Sequence, residues 1–77
     1  MNLSQCLEIM REEVKDKYVI CYIEALDEVV NNDGMYGLVV QMKYIKENIK
    51  SWRSGSSKKV KTFISNWIKE KELDLKK

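Results

Sequence analysis

The sequence predicts an all-α fold, a single-domain three-helix bundle. Three observations carry that reading. Apolar residues recur every three or four positions along nearly the whole chain, proline is absent, and two short stretches rich in Gly, Asn or Ser interrupt the pattern. A 3.6-residue apolar period marks an amphipathic helix, and Gly-containing breaks mark the connections. Three stripes on three short-linked helices are buried together by a bundle.

The first helix is read over residues 3–31, as one helix or as two with a kink near 15–17. Leu3, Leu7, Met10, Val14, Tyr18, Cys21, Ala25 and Val29 form one apolar row, and Val19, Ile23, Leu26 and Val30 add a second. The apolar face therefore widens after Tyr18. The run KYVICYI has strand-forming composition,. No second such run exists to pair with it, and a lone strand would leave its backbone groups unsatisfied. Asn31-Asn32-Asp33-Gly34 closes this helix, since Asn and Gly tolerate the left-handed conformation at helix ends, and a loop reaches Gly37,.

The second helix is expected over 36–53, where Leu38, Met42, Ile45, Ile49 and Trp52 repeat at four, three, four and three,. Ser54-Gly55-Ser56-Ser57 is the next break, with the hydroxyl of Ser56 or Ser57 as the expected cap of a third helix over 57–71,. Val60, Phe63, Ile64, Trp67 and Ile68 form its apolar face, and Trp52 and Trp67 are the expected core anchors. The charged tail, about 72–77, is expected to fray.

The 77 residues make one domain, 1–77, too small for a deep catalytic cleft,. Cys6 and Cys21 would lie roughly 22 Å apart on one straight helix, far beyond disulfide reach. A bridge would require the helix to break between them; the favoured reading is that both are buried, reduced thiols, and a cytoplasmic location follows. No 18-residue apolar run offers a membrane span, and the N-terminus lacks the cationic start and apolar core of a signal peptide,.

Histidine is absent. The usual neutral-pH general base is missing, and with it any His-activated Ser or Cys nucleophile. Two cysteines make a zinc site within one chain improbable,. A calcium loop centred on Gly34 would put Val29 and Val40 where calcium needs carboxylates,. GSSKKV lacks the Gly-Lys-Ser/Thr order of a phosphate loop,. Glu8, Glu12, Glu13 and Asp16 lie among Arg11, Lys15 and Lys17, which reads as a solvated, paired helix face,. No cofactor, small-molecule substrate or enzymatic activity is expected.

Charge is uneven. Residues 1–33 hold eight acids and three bases, and residues 34–77 hold four acids and eleven bases. Lys43, Lys46, Lys50 and Arg53 recur at three, four and three, a stripe beside the apolar seam. Lys58, Lys59 and Lys61 follow at the start of the third helix, where free backbone N–H groups favour an anion,. These seven bases form the candidate binding face, suited to nucleic acid or to an acidic protein surface. The bland alternative is a solvated face that keeps the protein soluble and balances the acidic first helix.

The stretch QMKYIKENIKSWRSGSSKKVKTFISNWI resembles small phage and prophage proteins of low-GC bacteria, with Ser54 standing between Arg53 and Gly55 in place of an intact Trp-Arg-Gly step. The resemblance implies no activity, only a mobile-element setting; small phage proteins often act by stoichiometric binding, including inhibition of host nucleic-acid-handling or defence proteins, and the absence of catalytic groups is compatible with such a role. The residues thus point to a non-catalytic binding protein using the basic face of its second and third helices. The alternative is a protein-interaction module, an inhibitor or a self-associating homo-oligomer, using the wide apolar face of the first helix.

Overall fold

The computed structural model describes residues 1–53 and 55–76. They form four helices: α1 (Leu3–Glu13), α2 (Lys17–Glu24), α3 (Leu26–Asn48) and α4 (Ser57–Leu75). The all-α class holds, and no strand occurs among the described residues. The helix count is four rather than three because the expected first helix is broken twice and its last piece runs on into the expected second helix.

Local polar chemistry explains the first break. Asn2 and Gln5 start α1 with a reciprocal capping box, Asn2 Oδ1 accepting from Gln5 N at 2.8 Å and Gln5 Oε1 accepting from Asn2 N at 3.0 Å,. Val14 then turns extended (φ −92°, ψ 120°) with its side chain buried. Asp16 caps α2, its Oδ1 accepting the N–H groups of Tyr18 at 2.8 Å and Val19 at 3.3 Å. An Asp carboxylate competes for backbone donors in this way, which is why it starts helices more readily than it continues them. The kink expected near 15–17 is thus a full break.

The break re-phases the apolar pattern. Cys6, Met10 and Val14 are buried on α1, as the first row predicts. After it, the second row takes over, with Val19, Ile23 and Leu26 buried. Tyr18, at 71 % exposure, and Cys21 are rotated outward. The continuous wide apolar face expected from Tyr18 to Val30 therefore does not form. The strand-like run KYVICYI is helical, as α2.

α2 passes into α3 through Ala25, whose N–H donates to Cys21 O at 3.0 Å and whose carbonyl accepts from Val29 N at 3.0 Å. The expected loop over 31–37 shrinks to one non-helical residue inside α3. Gly34 has φ 62° and ψ −146°, a conformation that a Cβ would strain,. Helix resumes at once, and Gly37 is buried. Beyond the kink, Val39, Met42, Ile45 and Ile49 face the core. Helix ends at Asn48, five residues short of the expected boundary at 53.

α4 begins after Gly55 and runs to Leu75, past the expected end at Lys71. The fraying expected over 72–77 does not occur up to Leu75, while Lys77 and Ser54 lie outside the described residues. Val60, Ile64 and Ile68 are buried on α4. Neither Ser56 nor Ser57 caps it through a hydroxyl. The carboxylate of Glu13, at the end of the neighbouring α1, supplies an acceptor instead, Oε1 accepting the Ser56 N–H at 2.8 Å. Gly55 permits this twice over. Its φ is +56°, and a Cβ there would collide with Glu13 Oε1. Glu13 is thus no member of a solvated face; it is half-buried and structural.

α3 packs on α2 and α4, and α1 closes the ring by touching the same two helices. The core between them is aliphatic and sulfur-rich, with Met10, Met42, Ile45, Ile49 and Ile64 its largest fully buried side chains. Trp52 and Trp67, expected as core anchors, pack half-buried at its edge. A four-sided ring of short helices leaves room at its centre for branched aliphatic side chains and pushes the bulkier indoles outward.

Two substitutions test the Glu13 contact. Gly55→Ala should destabilise by about 1–3 kcal/mol through backbone strain and collision. Glu13→Ala should cost about 1–2 kcal/mol by leaving the helix start without its acceptor. Urea unfolding of the pair should give less than the sum of the single losses, because both act on one contact.

Candidate functional site

The basic residues are positioned by the antiparallel packing of α4 on the second half of α3. Lys43, in the second half of α3, reaches Glu72 near the end of α4 at 3.2 Å. Lys50, just past α3, is near the first turns of α4, where Lys61 lies. The chain between the helices forms a corner at one end of the bundle.

Lys61 organises that corner. Its Nζ donates to the carbonyl of Lys50 at 3.1 Å and also to the carbonyl of Trp52. These carbonyls lie just past the last turn of α3, where backbone acceptors lack helical partners and a cation is favoured. Lys61 is half-buried and committed to this task. Trp52 N–H closes the turn on Ile49 O at 3.1 Å, while its indole N–H is buried without an acceptor among the described residues.

The other six candidate bases are exposed: Lys43, Lys46, Lys50, Arg53, Lys58 and Lys59. They do not form one uniform stripe. Lys43 pairs with Glu72, and Lys50 pairs with Glu47 at 2.8 Å. The Lys50 ammonium, by hydrogen bond and by charge, holds the Glu47 carboxyl below its usual range, and Lys46 adds to the effect. Both pairs are solvent-exposed, and such pairs hold their partners weakly,. Among the described residues, Lys46, Arg53, Lys58 and Lys59 make no ion pair.

The bases divide between two grooves and the corner. Lys43 and Lys46 line a groove between α3 and α4 with Glu47, Ser65, Ile68, Lys69 and Glu72. Its charges are mixed, so it is no unbroken anion track. Lys58 and Lys59 line a different groove, with Met1, Thr62, Phe63 and Asn66. Lys50, Arg53 and Lys61 belong to the corner itself. The anion site expected at the start of α4 is taken in part by Glu13, which already accepts the Ser56 N–H.

Sequence reasoning missed three participants. Lys69 enters the α3–α4 groove from a segment outside the basic cluster. Glu13 reaches the corner from 43 residues away, and no local signal announces that. A tyrosine pair between α2 and α3, with further exposed tyrosines on the same two helices, also went unread. Tyr22 and Tyr44 stack with ring centroids 6.1 Å apart, Gln41 Nε2 donates to Tyr22 O at 3.1 Å, and Tyr18 and Tyr36 are about 70 % exposed. The helical spacing of Tyr18 and Tyr22 carried this signal, but only once the break at 14–16 had set the phase.

The two cysteines differ. Cys6 is fully buried, and burial pushes its thiol up to about 11,. Cys21 is exposed, contrary to the expectation that both are buried. Among the described residues no group of three or more Cys, Asp or Glu side chains is placed to hold a metal ion. No helix of the described residues is long and apolar enough to cross a membrane.

Native protein should therefore show one fast thiol towards an aromatic disulfide reagent, and Cys21→Ser should remove it. Cys6 should react only on unfolding. Because folding raises the Cys6 thiol from 9.0 to about 11, its neutral form contributes stability that is intact below pH 9 and is lost as pH rises towards 11,. Urea unfolding over that window should show a loss on the order of 2 kcal/mol relative to Cys6→Ala, which lacks the group.

Comparison of the chain with protein-family models, with curated proteins and with solved structures finds no match.

Proposed function

We propose that this chain is a non-catalytic helical binding protein that engages an anionic macromolecular surface through its basic α3–α4 corner. The observation that carries the reading is the crowding of bases there. Lys50, Arg53, Lys58, Lys59 and Lys61 all lie on the short connection or on the first turns of α4. The carboxylates that reach this region, Glu47 and Glu13, are committed to Lys50 and to the Ser56 N–H. Positive charge is left on Arg53, Lys58 and Lys59, with Lys46 nearby on α3. Such a cluster attracts phosphates or carboxylates by displacing their counterions. Nucleic acid, or a protein that handles or mimics it, fits that description. A stoichiometric binding role is compatible with the mobile-element setting that the resemblance of residues 41–68 implies. The absence of histidine supports a role without catalysis.

A second reading is favoured by the exposed tyrosines of α2 and α3. Tyr18, Tyr36 and Tyr44 are more than half exposed, and tyrosine is enriched where proteins dock,. On this reading the α2–α3 face is a protein-docking surface, for a foreign partner or for a second copy.

Titration of labelled DNA, RNA and polyglutamate at two salt concentrations separates the two. If the corner neutralises three to five phosphates, log affinity for duplex DNA should fall with log salt at a slope of roughly −3 to −4.5. Lys58→Glu with Lys59→Glu should flatten that slope by about two phosphates' worth. Lys15→Glu with Lys17→Glu, beside Tyr18, should leave it unchanged. No binding to any polyanion at low salt, or an equal loss in both double variants, would overturn the corner reading.

A further inference from the structure

The groove beside the basic corner has a composition that a phosphate backbone does not call for. Its floor is apolar, formed by the Met1 side chain and the half-buried ring of Phe63. Thr62 and Asn66 stand on its walls as exposed, uncharged side chains. Lys58 and Lys59 stand at its rim, exposed and without a carboxylate partner among the described residues. No acid lines it, unlike the α3–α4 groove, where Glu47 and Glu72 offset the lysines.

Helical geometry explains the arrangement. Thr62, Phe63 and Asn66 follow Lys58 and Lys59 at spacings of three and four, so all five share one side of α4,. Phe63 is the point where the buried stripe of α4 meets its outer face. The N-terminal Met1, half exposed, lies across it and widens the apolar floor.

We propose that this groove docks an acidic, amphipathic segment of a partner protein. A large apolar side chain of that segment seats on Phe63 and Met1, and carboxylates on either side of it face Lys58 and Lys59. This rests on the corner reading above and names the partner class of that surface. Charge complementarity selects the sign of the partner. The apolar floor favours a protein segment over duplex nucleic acid, which presents its sugar-phosphate backbone and keeps its base faces stacked inside, and the aliphatic Met1 beside Phe63 suits an apolar side chain. The uncharged Thr62 and Asn66 leave the wall open to backbone or hydroxyl contacts without repelling a carboxylate.

The test uses the full chain and three defined peptides, followed by amide and methyl chemical-shift mapping. One peptide alternates Asp and Glu with Leu and Phe, the second replaces every Leu and Phe with Ala, and the third is polyglutamate. The first should bind about tenfold or more tightly than the second, since seating one large apolar side chain accounts for at least that factor. Its shifts should centre on Met1, Thr62, Phe63 and Asn66. Thr62→Gln with Asn66→Gln puts longer, uncharged side chains into the groove at exposed positions that do not contribute to the core. It should abolish the tenfold preference and leave polyglutamate and DNA binding at the corner within about twofold, because no charge changes and Lys50, Arg53, Lys58 and Lys59 are untouched.

Equal affinity for the first two peptides, or shifts confined to the α2–α3 tyrosines, would overturn the groove proposal while leaving the corner reading intact. Displacement of the first peptide by DNA from Met1 and Phe63 would assign the groove to nucleic acid and would equally overturn it. No binding of any peptide or of DNA would overturn both.

Discussion

A carboxylate at the end of the first helix holds the start of the last. Glu13 reaches the Ser56 N–H at 2.8 Å across 43 residues of sequence. It supplies the anion that the N-terminus of α4 favours, and it does so from inside the fold. Three features depend on it. Gly55 must have no side chain and must hold a positive φ, α1 must end where Glu13 can turn inward, and α4 must start beside α1 so that the ring of helices closes. The basic corner inherits its shape from this contact, because Lys58, Lys59 and Lys61 occupy the turns that Glu13 fixes.

The corner is a balance between committed and uncommitted cations. Lys61 ties the end of α3 to α4 through two backbone carbonyls. Lys43 and Lys50 hold exposed pairs with Glu72 and Glu47. Surface pairs of this kind contribute about 0–1 kcal/mol, so a stronger anion can displace them. Arg53, Lys58 and Lys59 need no such exchange. The structure therefore grades the seven bases that looked equivalent as a pattern, with one structural, two weakly paired and the rest available.

The helical class was legible because the buried residues run in three- and four-residue steps, as in Cys6, Met10 and Val14, in Val39, Met42, Ile45 and Ile49, and in Val60, Ile64 and Ile68. The seam Met42, Ile45 and Ile49 was read correctly and is fully buried. The helix count was not legible, because the row from Leu3 to Val29 continues in phase through a break. Periodicity alone does not reveal that Asp16 captures the N–H groups of Tyr18 and Val19 and hands the core from Val14 to Val19 and Ile23. The loop over 31–37 was overdrawn for a related reason. Only Gly34 leaves the helical region, and the polar residues before it sit on an exposed helical turn. The cluster Lys43–Lys61 was visible as composition. Its division between two grooves, and the role of Glu13 in it, depend on contacts between distant segments that no local spacing encodes.

Lysine footprinting tests the central claim most directly. Native protein in extract of the cells that produce it would be acetylated briefly, with and without nuclease treatment, and the rate at each lysine compared with that of the isolated protein. The account predicts protection at Lys58 and Lys59, with Lys15, Lys17 and Lys76 unchanged, and Lys61 slow in both states because its ammonium is already engaged. Protection confined to Lys15 and Lys17 beside Tyr18, or unchanged rates at Lys58 and Lys59, would contradict it.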